Sequence, residues 1–421
     1  MALAALCEEA QVRSPPEVWE EYRRQETCNL IRIQEHRNST LQYNGKTMKY
    51  SAKIKGETPR DGYPLYIALH GGGGHPAELN DEGWERMKGL YIDSIQQGIY
   101  VAPRGIMDTW DMHFRPESYV FFDRLIENMI LFENVNSDKV YLLGYSAGGD
   151  GVYQIAPRMA DRFAAVNMSA GHHNWVGVRN LASVPIALQA GEFDDKYNRN
   201  FETAKMNDTL DSLEMENPGQ YVHKTWIHAG KGHHFIDNSH DDEPQAVLVD
   251  LRHWQTSKTS ESSMQNTNAI SWLRQFTRNH RPRRVIWDLT TWQDRRGLGF
   301  WNAAGHGRQL YWLDIGDNTA ETGGEDTIVV RLEEEKNVIT IEKFGNYVRL
   351  LLDRCMVDLR SPVEVVVEGK VYRVSVKTTG DIQMETLRQR GDPRYIFEGT
   401  ITVVRDNGDI HVSSLNSMQL A

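Results

Sequence analysis

The chain has 421 residues, 40% of them hydrophobic and 10% aromatic, with a formal net charge of −11 at pH 7. That length exceeds one ordinary hydrophobic core and predicts two domains, while the acidic balance argues against a nucleic-acid partner or an anionic membrane surface. Cys7, Cys28 and Cys355 are odd in number and far apart, so neither a disulfide framework nor a zinc site is predicted.

The opening MALAALCEEA has no basic stretch, its apolar run is short for a signal peptide, and no later apolar run reaches membrane-spanning length. A cytoplasmic protein is expected. Residues 1–44 read as a helical extension, with one charged surface helix over 17–37. An α/β domain is predicted over 45–280. Met48–Ile54 alternates as an early antiparallel strand, and Leu65–Leu69 is a continuous apolar run, as in a strand buried on both faces. It ends in His70 and four consecutive glycines, then His75. Such a run is poor structure unless backbone must approach something closely, and after a buried strand the expected client is an anionic oxygen.

Ile99–Ala102 is a third strand, followed by a loop carrying Trp110, Asp111, His113 and Phe114, and Tyr119–Phe132 reads as a helix. Val140–Leu143 then leads through Gly144-Tyr145-Ser146-Ala147-Gly148 into Val152, Ile155, Ala156 and Met159, the spacing of a buried helix face, with Pro157 near its end. A serine on a tight strand-to-helix turn exposes its hydroxyl, and the helix N-terminus favours negative charge beside it. Phe163–Met168 and Val184–Ala190 are further strands. The first ends in His172-His173-Asn174-Trp175 and the second in Gly191-Glu192-Phe193-Asp194-Asp195. A helix follows over about 200–215, then a strand Tyr221–His228 and Gly230-Lys231-Gly232-His233-His234. Strands alternating with helices predict a doubly wound, mostly parallel sheet. Residues 237–266 are polar and read as a surface insertion or mobile flap, and Asn268–Thr277 as the terminal helix.

Beyond Arg281 short strands dominate, and 281–421 read as a smaller all-β, sandwich-like accessory domain without a helix. Eight strands are predicted: Val285–Leu289, Leu310–Leu313, Thr327–Leu332, Val338–Ile341, Tyr347–Leu351, Val363–Val367, Val371–Val376 and Ile396–Val404. Phe300, Trp301, Tyr311 and Trp312 read as core or interdomain packing, with a carbohydrate-binding face as the sharper alternative. This domain is expected to be a rigid cover over the cleft or a homo-oligomer surface.

Acyl-bond hydrolysis needs a nucleophile, a base, a group that orients the base, and donors for an oxyanion. Ser146, His233 and Asp194 are the candidates, each at a strand's carboxyl end, with the backbone N–H of Ala147 and of Gly72 or Gly73 as the donors. Asp195 and His234 are neighbouring alternatives that glycine spacing leaves open.

The motifs HGGGG at 70–74, GYSAGG at 144–149, GEFD at 191–194 and GKGHHF at 230–235 resemble the α/β-hydrolase superfamily. Within it the chain looks most like the esterase branch that includes poly(3-hydroxybutyrate) depolymerases, feruloyl esterases and phospholipase/carboxylesterase-like proteins. The resemblance implies a Ser-Asp-His triad and no metal or organic cofactor. The residues themselves lead to the expectation of a small-molecule ester substrate, small or medium-sized and polar or aromatic, because no long apolar cap segment is evident. Tyr145, His75, Trp110, His172, His173 and Trp175 are the pocket candidates, with Arg104 and Arg199 as partners for a substrate carboxylate. The competing expectations are a peptidase or amidase of the same superfamily, and a binding protein that keeps the fold without activity. A metal-dependent hydrolase on His70, His75, His172, His173 and His233 is weaker, because their spacing matches no metal motif.

Overall fold

The computed structural model describes residues 11–239, 245–248, 262–292, 307–316 and 327–414. Its contacts divide the chain into two units, one built on Ile31–His280, the other on Arg281–Thr290 and the residues after 306, together with the N-terminal helix.

The charged stretch expected as one helix is two, α1 (Pro15–Thr27) and α2 (Leu30–Asn38), and the two belong to different units. A capping box starts α1, in which Ser14 N and Oγ both donate to Glu17 Oε2. Just ahead of that helix, the backbone of Arg13 exchanges hydrogen bonds with the Gln383 side chain of the β-rich unit. From α2, Arg32 reaches Glu127 at 2.8 Å and Asn128 at 2.9 Å in the α/β unit. The two ends of the segment therefore follow different cores.

In the α/β unit, β1 (Thr40–Tyr43) and β2 (Lys46–Lys55) form a hairpin whose Asn44-Gly45 turn has φ of 47° and 69°, the left-handed pair that suits strand twist. There follow β3 (Tyr63–Leu69), α3 (Ala77–Met87), β4 (Gly98–Pro103), α4 (Pro116–Glu133), β5 (Val135–Tyr145), α5 (Ala147–Arg158), β6 (Ala165–Ser169), β7 (Ile186–Gly191), α6 (Arg199–Glu216), β8 (His223–His228), β9 (Gln245–Leu248) and β10 (Ser262–Gln265). The sheet order is β1-β2-β4-β3-β5-β6-β7-β8-β9-β10. Strands β4, β3, β5, β6, β7 and β8 are mutually parallel, and the pairs at both edges are antiparallel. The apolar runs are central because helices pack on the sheet: α5 lies on β3, β5 and β6, α3 on β3 and β4, and α6 on β7 and β8. Leu65, Ile67, Leu142, Leu143, Val166 and Leu188 have no exposed surface, and burying each such side chain contributes about 1.5–3 kcal/mol.

The stretch 237–266 departs from a surface flap where it is described: Asp237 and Ser239 are buried, and β9 and β10 extend the sheet. The predicted terminal helix shortens to Ala269–Leu273, capped by Asn268 Oδ1, which accepts from Ser271 N at 2.8 Å.

The β-rich unit holds two five-stranded sheets. One comprises Arg284–Asp288, Thr327–Glu333, Val338–Lys343, Val363–Val367 and Lys370–Val374. The other comprises Gln309–Leu310, Leu313–Asp314, Tyr347–Leu352, Gly399–Asp406 and Asp409–Ser413. The expectation that it lacks a helix is corrected by Gly380–Arg390, which has Thr379 Oγ1 as its N-cap and Gly391 at φ 56° after its last turn. Tyr311 and Trp312 are buried, whereas Phe300 and Trp301 lie outside the described residues. No helix among the described residues is long and apolar enough to cross a membrane.

Candidate active site

Strand β5 ends at Tyr145 and α5 begins at Ala147, so Ser146 is the whole connection, at φ 59° and ψ −121°. A non-glycine residue there is strained by about 1–3 kcal/mol, and the surrounding main chain holds it: Ser146 N donates to Ser169 O at 2.9 Å, and Ser146 O accepts from Asp150 N at 3.0 Å. The flanking glycines are required by contact. A Cβ on Gly144 would stand 2.0 Å from Gly148 O, and one on Gly148 would stand 2.0 Å from Leu69 O.

The structure brings Ser146, His233 and Asp194 together. His233 Nε2 is 2.9 Å from Ser146 Oγ, and His233 Nδ1 is 2.9 Å from Asp194 Oδ2. Asp194 follows β7 in a turn in which its N–H donates to Gly191 O and its carbonyl accepts from Asn200 N, both at 3.1 Å. The neighbouring alternatives Asp195 and His234 are exposed and take no part in this file. Tyr145, one of the pocket candidates, clamps the His233 loop: its hydroxyl donates to His233 O at 2.9 Å and accepts from Phe235 N at 3.0 Å.

The glycine loop turns back over Ser146, and a Cβ on Gly71 would lie 3.2 Å from Ser146 Cβ. Gly72 and Gly73 have φ of 122° and 78°, conformations open to glycine. Of the two candidate donors in this loop, Gly73 has its N–H committed to Asn80 Oδ1 at 2.7 Å. Ala147 is buried at the first position of α5, where helical N–H groups lack intrahelical acceptors.

The remaining candidates divide. Trp110 is 39% exposed, sits beside Gly73 and meets Phe114 edge-on, while Asp111, His113 and Phe114 are buried. His75 is exposed and contributes its carbonyl to Asn80. His172 and His173 stack with centroids 5.2 Å apart, and His173 Nε2 is 2.7 Å from Glu202. Trp175, 56% exposed, lies 5.7 Å from the His172 ring. Arg104 does not present a free guanidinium: it is bound by Asp81, Asp108 and the carbonyls of Gly105 and Met107. Arg199 is buried, with Nη1 3.9 Å from Asp194 Oδ1.

Two buried carboxyls behind the site carry no motif. Asp150, one turn after Ser146, accepts from His172 N at 2.7 Å and Asn174 Nδ2 at 3.1 Å, and burial pushes its pKa up to about 6. Asp237 accepts from Ser169 Oγ and Tyr91 OH, both at 2.6 Å, and burial raises its pKa too. Ser169 thus ties the Ser146 amide to the loop that carries His233. Among the described residues, the one cluster with metal-ligand proximity is Asp211, Glu214 and His223, which includes none of the five histidines considered above.

The parallel core in the order β4-β3-β5-β6-β7-β8, with the Ser146 turn after β5, defines the class of fold: it is the α/β-hydrolase fold. No protein-family model matches it. Its sequence is similar to esterases. It is 30% identical over 163 residues to NocK of Nocardia uniformis subsp. tsuyamanensis, assigned by name to the esterases, covering 36% of this chain and 46% of that one. It is 29% identical over 138 residues to the bifunctional acetylxylan esterase/xylanase XynS20E of Neocallimastix patriciarum, covering 32% and 20%. The chain thus spans less than half the length of these curated relatives. A solved structure, the poly(3-hydroxybutyrate) depolymerase LpqC of Bordetella parapertussis, overlaps 48% of this chain and 87% of its own at 15% identity and a TM-score of 0.39.

Proposed function

We propose that the chain is a serine esterase, with residues 45–280 as the catalytic domain and 281–421 as an accessory domain. One observation carries this: a serine hydroxyl, an imidazole and a buried carboxylate lie in file at 2.9 Å and 2.9 Å, on a strained turn at the head of a helix. His233 takes the Ser146 proton as the oxygen attacks an ester carbonyl, and Asp194 holds the imidazole with Nδ1–H toward itself and stabilises the imidazolium. The backbone N–H of Ala147 and of Gly72 receive the oxyanion. His233 then protonates the departing alcohol, and water releases the acyl group by the reverse sequence.

The proposed substrate is a small or medium-sized polar or aromatic ester. Exposed Trp110 beside the glycine loop and the His172–Trp175 rings supply apolar faces with nearby polar groups. In the test, Ser146→Ala lowers ester turnover by at least ~10³-fold with folding unchanged. A fluorophosphonate adds one adduct, mapped by mass to the peptide holding Ser146. Turnover that survives Ser146→Ala, or an adduct elsewhere, would overturn the assignment.

A further inference from the structure

The sequence motifs leave open what holds the glycine loop in one conformation, since consecutive glycines have the widest backbone freedom of any residues. In the structure three successive peptide units of that loop are each held by a side chain. The His70 carbonyl accepts from His113 Nε2 at 2.9 Å. The Gly71 carbonyl faces His70 Nδ1 at 2.8 Å, and Gly105 N donates to His70 Nε2 at 3.0 Å, which leaves the imidazole proton on Nδ1. The Gly73 amide donates to Asn80 Oδ1 at 2.7 Å.

Asn80, with no exposed surface in the first turns of α3, is fully used: its Nδ2 donates to His75 O at 3.0 Å and to Asp108 Oδ1 at 2.9 Å. Asp108 is fastened in turn by Arg104, and its carbonyl accepts from Gly74 N at 2.8 Å. A Cβ on Gly72 would meet Asn80 Oδ1 at 2.4 Å, so the amide oxygen fills the space that a side chain at 72 would need. Across a planar trans peptide the C=O and N–H point to opposite sides. With the Gly71 carbonyl drawn to His70, the Gly72 N–H is directed away from that ring. With the Gly73 N–H drawn to Asn80, that group is withdrawn from any ligand.

We propose that Asn80 is a positioning residue that selects the Gly72 N–H, rather than that of Gly73, as the second oxyanion donor, a role that rests on the serine-esterase reading of Ser146. It acts through the backbone and touches no reacting atom. Its loss leaves the His233 file in place and relaxes the donor, so the transition state weakens more than the ground state.

The experiment uses the full chain and p-nitrophenyl acetate. Asn80→Ala is expected to lower kcat by about 10–100-fold, to change KM by less than about threefold, and to leave the acid limb of the pH profile of kcat/KM where it was. Affinity for a phenylboronic acid, which becomes tetrahedral on the serine, falls in parallel. The swap Asn80→Asp/Asp108→Asn keeps an acceptor for Gly73 and a donor between the two side chains. It is expected to recover most of the rate that Asn80→Asp alone loses, and this contrast carries the test should Asn80→Ala fail to fold. A kcat within twofold of wild type, a loss confined to KM, a shifted acid limb, or a swap no better than Asn80→Asp overturns the role. Wild-type turnover that does not depend on Ser146 overturns the underlying reading, and this role with it. With that dependence in place, an unaffected Asn80→Ala overturns the positioning role alone.

Discussion

The His233 imidazole, 30% exposed, stands 2.9 Å from the Asp194 carboxylate, which is 1% exposed. A carboxylate sealed behind a ring that reaches solvent can orient it without competing water. Asp194→Asn is therefore expected to lower kcat by about 10³–10⁴-fold, because an amide can present its NH₂ and favour the wrong tautomer. Asp195→Asn and His234→Ala, at exposed neighbours, are expected to stay within about threefold. Steady-state kinetics on the four single variants Asp194→Asn, Asp195→Asn, His233→Ala and His234→Ala checks this, and equal losses within either pair would contradict it.

Gly148 faces the carbonyl of Leu69 so closely that an added methyl would sit 2.0 Å from it. Gly148 lies in the first turn of α5 and Leu69 ends β3, so helix main chain meets strand main chain and neither can yield cheaply. Gly148→Ala is expected to cost at least about 3 kcal/mol or to prevent folding. Gly89→Ala, whose nearest neighbour would be 3.9 Å away, should change stability by no more than about 0.5 kcal/mol. Urea titration of both variants reads the difference.

Asp150 is held toward its neutral form by burial, with a folded pKa near 6 against an ordinary 3.8. The unfolded chain therefore releases this proton first as pH rises, and the carboxyl lowers stability progressively from about pH 4 to pH 6 and fully above that. Asp150→Asn keeps an oxygen for His172 N and removes the penalty. The variant should match wild type near pH 4 and exceed it by a few kcal/mol at pH 7. A gap independent of pH would refute this.

Acid acts with the opposite sign at His70, whose pKa burial depresses to about 4 from 6.5. Between those values the unfolded chain holds the proton and the folded chain does not. Stability contributed by this group is complete above about pH 6.5 and is lost as pH falls toward 4, at up to ~1.4 kcal/mol per pH unit. His113 is depressed in the same direction by its complete burial. His70→Asn is expected to flatten the fall in thermal midpoint over that window, and an unchanged slope would contradict it.

Much of the α/β unit was legible because parallel strands covered on both faces are continuous apolar runs, and β3 and β4 follow that rule closely. Edge elements were not: β1 is four residues long and polar, although its Asn44-Gly45 turn was a usable signal. The helix Gly380–Arg390 was missed because it is polar through most of its length, yet Thr379 and Gly391 bracket it as caps. The split of the first charged segment into α1 and α2 could not be read locally, since it follows from which core each helix joins. Asn80, Asp150 and Asp237 lie in no motif, and nothing in their neighbourhoods distinguishes them from surface polar residues until the chain folds.

Sequence by itself determined which residues had to be small, which runs had to be buried and which side chains could carry acyl chemistry, because strand period, turn sterics and functional-group type are local properties. Only the tertiary structure decided that His233 meets Ser146 and Asp194 meets His233, rather than their neighbours, and that the Gly73 amide is taken by Asn80. Those outcomes depend on distances between segments far apart in the chain, set by packing the helices on one twisted sheet.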